Sequence, residues 1–284
     1  MQNVYINTWG REHIWSLDQM PSELRQRVTL CANEEWIGIL KKKYKDVHYA
    51  NCPIVSGAAE SKQWTLEYAK RHTSKDCPVI IMLDDDLWFV HRTKDGKFPK
   101  ATEDQVQEGF ERLERAAALD GVGFASFSTS FFNPVDKVWG LCKQICGGFF
   151  INRETLKRTG ARFDGIPTRE DIHFSAANWS QGFPSLSLYE FCTVNKGDST
   201  IGGESSIDPR TGDLSKGVMA RGPRTEKAIN QLHEMYPNHV KLSEKRSSRA
   251  KAIGNPLSIT VYGYRMYVDA LKRLGKEKIQ CPEF

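Results

Sequence analysis

Hydrophobic and polar positions along the first 90 residues alternate between two periods. Short apolar runs at 4–9 (VYINTW), 28–32 (VTLCA) and 47–50 (VHYA) are of strand length. Between them, a short helix starts at Pro21, residues 34–44 space Trp36, Ile39 and Leu40 as one helical face, and residues 61–72 read as a further helix. A fourth run at 78–83, PVIIML, is continuously apolar, the pattern of a strand buried on both faces. Strands alternating with helices predict an α/β fold, a Rossmann-like parallel sheet with right-handed crossovers and covering helices.

The pattern continues less regularly. Thr102 caps a helix over 102–119 with Glu103 and Asp104 in its first turn. Strands are predicted at 122–127, 144–152 and 186–194, and helices at 153–160, where Gly160 is the stop, and at 169–177. Residues 199–217, rich in Gly, Ser and Asp, predict a long loop or lid. Helices are then expected at 225–235 and 258–274, around a basic stretch at 243–252. These elements divide the chain into an α/β domain over 1–215 and a basic, mainly helical extension over 216–284.

Composition adds three points. No apolar run is long enough to span a bilayer and the N-terminus lacks the build of a signal peptide, so a cytoplasmic protein without membrane contact is expected. Seven cysteines without a CxxC pair read as reduced thiols, most of them buried. The net charge of +5 is uneven: residues 215–284 carry 14 Lys and Arg against 6 Asp and Glu, or +8, and the remainder 26 against 29, or −3. A basic end on a slightly acidic body suits a polyanionic partner.

The candidate chemistry sits at the end of the fourth strand, where Asp84, Asp85 and Asp86 follow one another. Ligands of open α/β sheets bind at the carboxyl ends of strands. Adjacent carboxylates repel, and a divalent cation such as Mg²⁺ or Mn²⁺ would relieve that repulsion. A solvated acidic turn explains the triplet equally well. Two further signals follow it: Gly147-Gly148 inside a strand, which permits close approach to the backbone, and Glu170-Asp171 opening a helix. A metal at the triplet would stabilise a departing diphosphate, and a carboxylate at the helix start would take a proton from an acceptor hydroxyl.

In that order the segments LDDDL (83–87), CGGFFINRETL (146–156) and FDG with REDIHFS (163–175) resemble the GT-A glycosyltransferases over roughly 4–196. The resemblance implies a GT-A fold, a UDP-sugar donor, and Mn²⁺ or Mg²⁺ held by Asp86 with Asp84. It implies Asp171 as catalytic base with Glu170 beside it. Donor contacts fall on Asn7, Thr8, Arg11, Gly57, Lys62, Asp84, Asp85, Gly147, Gly148 and Lys196. Gly57 as a plain turn and Lys62 as a solvated helix charge are equally open. Motif order and the basic end are most similar to the phage TET-associated DNA glycosyltransferases. That implies double-stranded DNA carrying a hydroxymethylated pyrimidine such as 5-hydroxymethylcytosine as acceptor, with Arg221, Arg224, Lys245, Arg246 and Arg249 on its phosphates. A protein or glycan acceptor, a nucleotide or nucleic-acid binding module without turnover, and a metal-dependent nucleotidyltransferase or nuclease are the other readings.

Overall fold

A computed structural model of the chain describes residues 2–8, 10–53, 57–129, 134, 136–143, 147–195, 214–244 and 257–283. Strands β1 (Val4–Asn7), β2 (Val28–Ala32), β3 (His48–Asn51) and β4 (Val79–Asp84) form the parallel half of a nine-stranded sheet. Their order is β3-β2-β1-β4, with the helices α1 (Trp15–Asp18), α2 (Ser22–Arg25), α3 (Glu34–Lys43) and α4 (Ala58–His72) between them in the chain. Beyond β4 the sheet continues through β8 (Gly148–Asn152), β6 (Phe124–Ser128), β9 (Ser185–Asn195) and β5 (Leu87–His91), with β7 (Trp139–Leu141) on β9. The α/β expectation holds. In this second half β6 is parallel to β9, whereas β8, β5 and β7 run antiparallel to their neighbours.

Each central strand is buried on both faces and sends alternate residues to opposite sides. Val4, Ile6, Val79, Ile81 and Leu83 face one core with Val106, Phe110 and Leu113 of α5 (Glu103–Ala117). Tyr5, Ile80 and Met82 face the other with Leu66 of α4, Leu156 of α6 (Arg153–Thr159) and Phe174 of α7 (Glu170–Trp179). Helix α5 begins with the full capping box of Thr102 and Gln105, and Gly160 ends α6 in the left-handed conformation. The second core is aromatic, Phe163 stacking on Phe174 at 4.3 Å with Phe149 edge-on to both, which fixes the start of α7 beneath the sheet.

The C-terminal part departs from the sequence expectation. Residues 257–261 form a strand, β11 (Leu257–Val261), paired antiparallel with β10 (Val240–Glu244), and the last helix, α9, starts only at Gly263 and runs to Leu274. Ile259, Thr260 and Val261 are β-branched and favour the extended form over the expected helix. Helix α8 (Leu214–Met235) starts eleven residues before the expected 225 and contains Pro223. Its Ala228 and Leu232 pack on Ile166 and Ile172, and Met266, Tyr267 and Leu271 of α9 pack on Trp179. Among the described residues no helix is long and apolar enough to cross a membrane. The six described cysteines form no disulfide with one another; five are buried and Cys281 is exposed.

Candidate active site

Strands β1 and β4 are parallel neighbours with Asn7 opposite Asp84, so their carboxyl ends open at the same edge. Asp84 closes β4, and Asp85 and Asp86 make the two-residue turn into β5. That turn explains why the second strand is hidden in the sequence: LWFVH follows the triplet without a separating polar segment.

The three carboxylates have different surroundings. Asp85 is turned inward, not away: Thr8 donates to its Oδ2 at 2.6 Å and Arg11 donates to its Oδ1. Asp86 meets the same Arg11 guanidinium at 3.2 Å through Oδ2. Asp84 faces Lys62, whose Nζ lies 3.1 Å from Oδ1 and 3.2 Å from Oδ2.

Lys62 is the junction of the site. Its ammonium also lies 2.7 Å from Asp171 and 3.0 Å from Glu170, and the residue is 6 % exposed. Two features seat it there. Ser61, the preceding residue of α4, donates to Asn7 Oδ1 at 2.6 Å and so ties α4 to the end of β1. Lys62 also falls on the buried stripe of α4, with Ala59, Gln63, Leu66 and Ala69. A lysine at core spacing was the signal in the sequence that it is no solvated helix charge.

Gly147 joins the two halves through its backbone. Its carbonyl accepts from Asp84 N at 2.7 Å and its N–H donates to Asp171 Oδ2 at 3.1 Å. Its φ is +78°, and a Cβ there would lie 2.8 Å from Asp84 Oδ2 and 2.8 Å from Leu87 Cδ2. The close approach expected of the Gly-Gly pair is thus to Asp84 itself. Gly148 is an ordinary strand residue opposite Leu83.

Five carboxylates, Asp84, Asp85, Asp86, Glu170 and Asp171, crowd around Lys62 and Arg11, and their protonation reflects it. Burial, with added repulsion from Glu170 and Asp84, pushes Asp171 up to about 7 against the pull of Lys62. Burial likewise pushes Asp85 up to about 7 against Arg11, and burial followed by the charge of Asp84 raises Asp86. Glu170 goes the other way. Burial would raise it, but the charge and hydrogen bond of Lys62, with help from its own backbone and Arg169, hold it below the usual range.

The other candidates make different contacts or fall outside the described residues. Gly57, at the N-cap of α4, leaves room for Arg224: a Cβ there would meet Nη2 at 2.5 Å. Arg224 itself donates to the carbonyl of Pro167 at 3.3 Å, so it fastens α8 to the body rather than standing out for a phosphate. Lys196, Lys245, Arg246 and Arg249, and the side chain of Arg221, lie outside the described residues. Trp179 is core, 1 % exposed, and His173 is half-buried, with burial lowering its pKa. The recess beside the cluster is lined by Asn7, Lys62, Asp84, Gly147, Phe149 and Phe163.

Asp84 is paired with Lys62 through both oxygens and Asp86 with Arg11 through Oδ2, so a divalent cation would share either carboxylate with a resident ion pair. Asp84 and Asp86 both supply hard oxygen donors at this edge, the donor type that suits Mg²⁺ or Mn²⁺. Among the described residues no group of three or more His, Cys, Asp or Glu is disposed to hold a metal.

No protein-family model matches the chain. No curated protein matches it either. Among solved structures, S. aureus TarS (residues 1–349) is similar at 8 % identity, covering 100 % of this chain and 97 % of that one, with a TM-score of 0.44. The same protein in complex with UDP-GlcNAc gives 8 % identity, the same coverage and 0.45. Mouse xyloside xylosyltransferase 1, apo form, gives 13 % identity over 63 % of this chain and 73 % of that one, with 0.32.

Proposed function

We propose that this protein is a glycosyltransferase that moves a sugar from a UDP-sugar donor to a hydroxylated base, such as 5-hydroxymethylcytosine, in double-stranded DNA. The observation that carries the reading is a carboxylate cluster at the ends of β1 and β4 in which buried Asp171, at the start of α7, faces Asp84 across Lys62. Asp171 sits near the midpoint of its titration at neutral pH, which suits a general base.

In this reading Asp171 takes the proton of the acceptor hydroxyl. The hydroxyl oxygen forms a bond to the anomeric carbon as the bond from that carbon to the diphosphate oxygen breaks, and UDP leaves with the electron pair. Attack opposite the leaving group inverts the anomeric centre. Asp86 is the residue that would hold Mn²⁺ or Mg²⁺, which would supply positive charge to the departing diphosphate. Asp85, itself held by Thr8, fixes Arg11 at the same edge beside Asp86.

The acceptor class rests on charge. Residues 215–284 carry the +8 noted above, and Lys241, Lys272, Arg273, Lys276 and Lys278 are exposed among the described residues. Such a surface contacts phosphates without reading sequence. A base inside a duplex has to be turned out to reach Asp171.

The test is mass spectrometry of hydroxymethylated duplex DNA after incubation with a panel of UDP-sugars and Mn²⁺. A hexose or N-acetylhexosamine mass gain on the base is expected. UDP-sugar turnover that leaves the DNA unchanged but modifies a protein or glycan moves the acceptor to that class. Binding of UDP with no turnover on any acceptor points to a binding module.

A further inference from the structure

Lys62 is the remaining charged group at the edge, and in a donor site the obvious use of a lysine is to bind diphosphate. The geometry points elsewhere. Its ammonium already lies within 2.7–3.2 Å of Asp171, Glu170 and Asp84, on a side chain 8 % exposed. A lysine has three N–H donors, and three carboxylates face it.

We infer that Lys62 is a positioning residue that holds the Asp171 carboxylate between Glu170 and Asp84, and that it does not bind the donor diphosphate. The inference rests on the glycosyltransferase reading and on Asp171 as its base. Among the described residues, groups from four places act on Asp171. Helix α4 brings Lys62, α7 itself brings Glu170, β4 brings Asp84, and the residue before β8 brings the Gly147 N–H. Lys62 and the amide favour the carboxylate; burial, Glu170 and Asp84 oppose it. Without Lys62 the balance swings to the protonated acid, which accepts no proton. The link also carries position. Lys62 and the Gly147 backbone thus both join Asp84 to Asp171.

The experiment compares wild type with Lys62→Met in two readouts. One is the dissociation constant of UDP by calorimetry, and the other is the pH profile of transfer from UDP-glucose to hydroxymethylated duplex DNA. A base works deprotonated, so raising its pKa moves the acid limb to higher pH. The limb is expected to move up by about one unit or more, as loss of an adjacent opposite charge implies. UDP affinity is expected to stay within about threefold, well under the tenfold that one lost charged contact would give. Weakening of UDP by about tenfold or more with an unmoved limb overturns the inference and makes Lys62 a diphosphate ligand.

Leaving three carboxylates without their lysine also threatens folding. If Lys62→Met does not fold, Glu170→Gln is compared with Glu170→Gln/Lys62→Met, which removes one charge of each sign. The same upward limb and steady UDP affinity are expected of the pair, and the opposite outcome overturns the inference equally. Asp171→Asn separates the two levels. If it transfers like wild type, the base assignment fails. If it is dead while the limb stays put in the Lys62 variants, only the inference about Lys62 fails.

Discussion

Replacing Gly147 by alanine tests whether the Gly-Gly segment is built around Asp84. At φ +78° an L-residue is in the left-handed region, which costs roughly 1–2 kcal/mol. The new Cβ would also stand 2.8 Å from Asp84 Oδ2 and 2.8 Å from Leu87 Cδ2. Neither neighbour yields readily: Asp84 is ion-paired to Lys62 and Leu87 is fully buried. Overpacking of that kind adds about 1–3 kcal/mol, so the total expected loss is roughly 2–5 kcal/mol. Gly148→Ala is the internal control. Its Cβ would be 3.5 Å from Leu83 and 3.7 Å from Leu87, ordinary contact distances, in a strand where alanine gains about 0.5–1 kcal/mol over glycine. Urea unfolding followed by circular dichroism separates the two. The midpoint of Gly147→Ala is expected well below wild type and that of Gly148→Ala at or slightly above it. Coincident midpoints for the two variants would refute the account of Gly147 as a close-approach residue.

Asp85→Ala removes the buried partner of Thr8 and Arg11. Breaking a buried ion pair from one side costs about 3–5 kcal/mol, and the lower end is expected because Arg11 keeps Asp86; a loss below about 1 kcal/mol in urea unfolding would contradict a structural role for Asp85. Among the described cysteines, iodoacetamide is expected to label exposed Cys281 well before Cys142, whose thiol burial pushes up to about 12. Peptide mass mapping of brief labelling checks this, and equal labelling of the two would contradict the burial of Cys142.

Much of the parallel half of the sheet was legible because its strands are contiguous apolar runs and its helices carry clear 3–4 spacing. Strand β5 was not, because the Asp triplet serves as strand end and tight turn at once, leaving no polar gap to mark a second strand. The β11–α9 boundary was missed for a related reason. The residues Ser258–Val261 fit a helical face as well as an alternating one, and only pairing with β10 decides between them. At the site, the residue types and their order were readable, but the charges that neutralise them were not. Arg11 reaches Asp85 across 74 residues and Lys62 reaches Asp171 across 109, distances at which no local pattern operates. The roles within the triplet therefore emerge only from tertiary contacts. Asp84 pairs with Lys62, Asp85 with Thr8 and Arg11 after β1, and Asp86 with the same Arg11.

The central claim is that Asp171 is the base of a sugar transfer fed by a UDP-sugar. The most direct measurement is a paired one on wild type and Asp171→Asn: UDP dissociation constant by calorimetry and transfer rate from UDP-glucose to hydroxymethylated duplex DNA. The account predicts UDP affinity within about threefold of wild type and a transfer rate lowered by about 10²–10⁴, the usual contribution of a general base. Transfer by Asp171→Asn at the wild-type rate would contradict it.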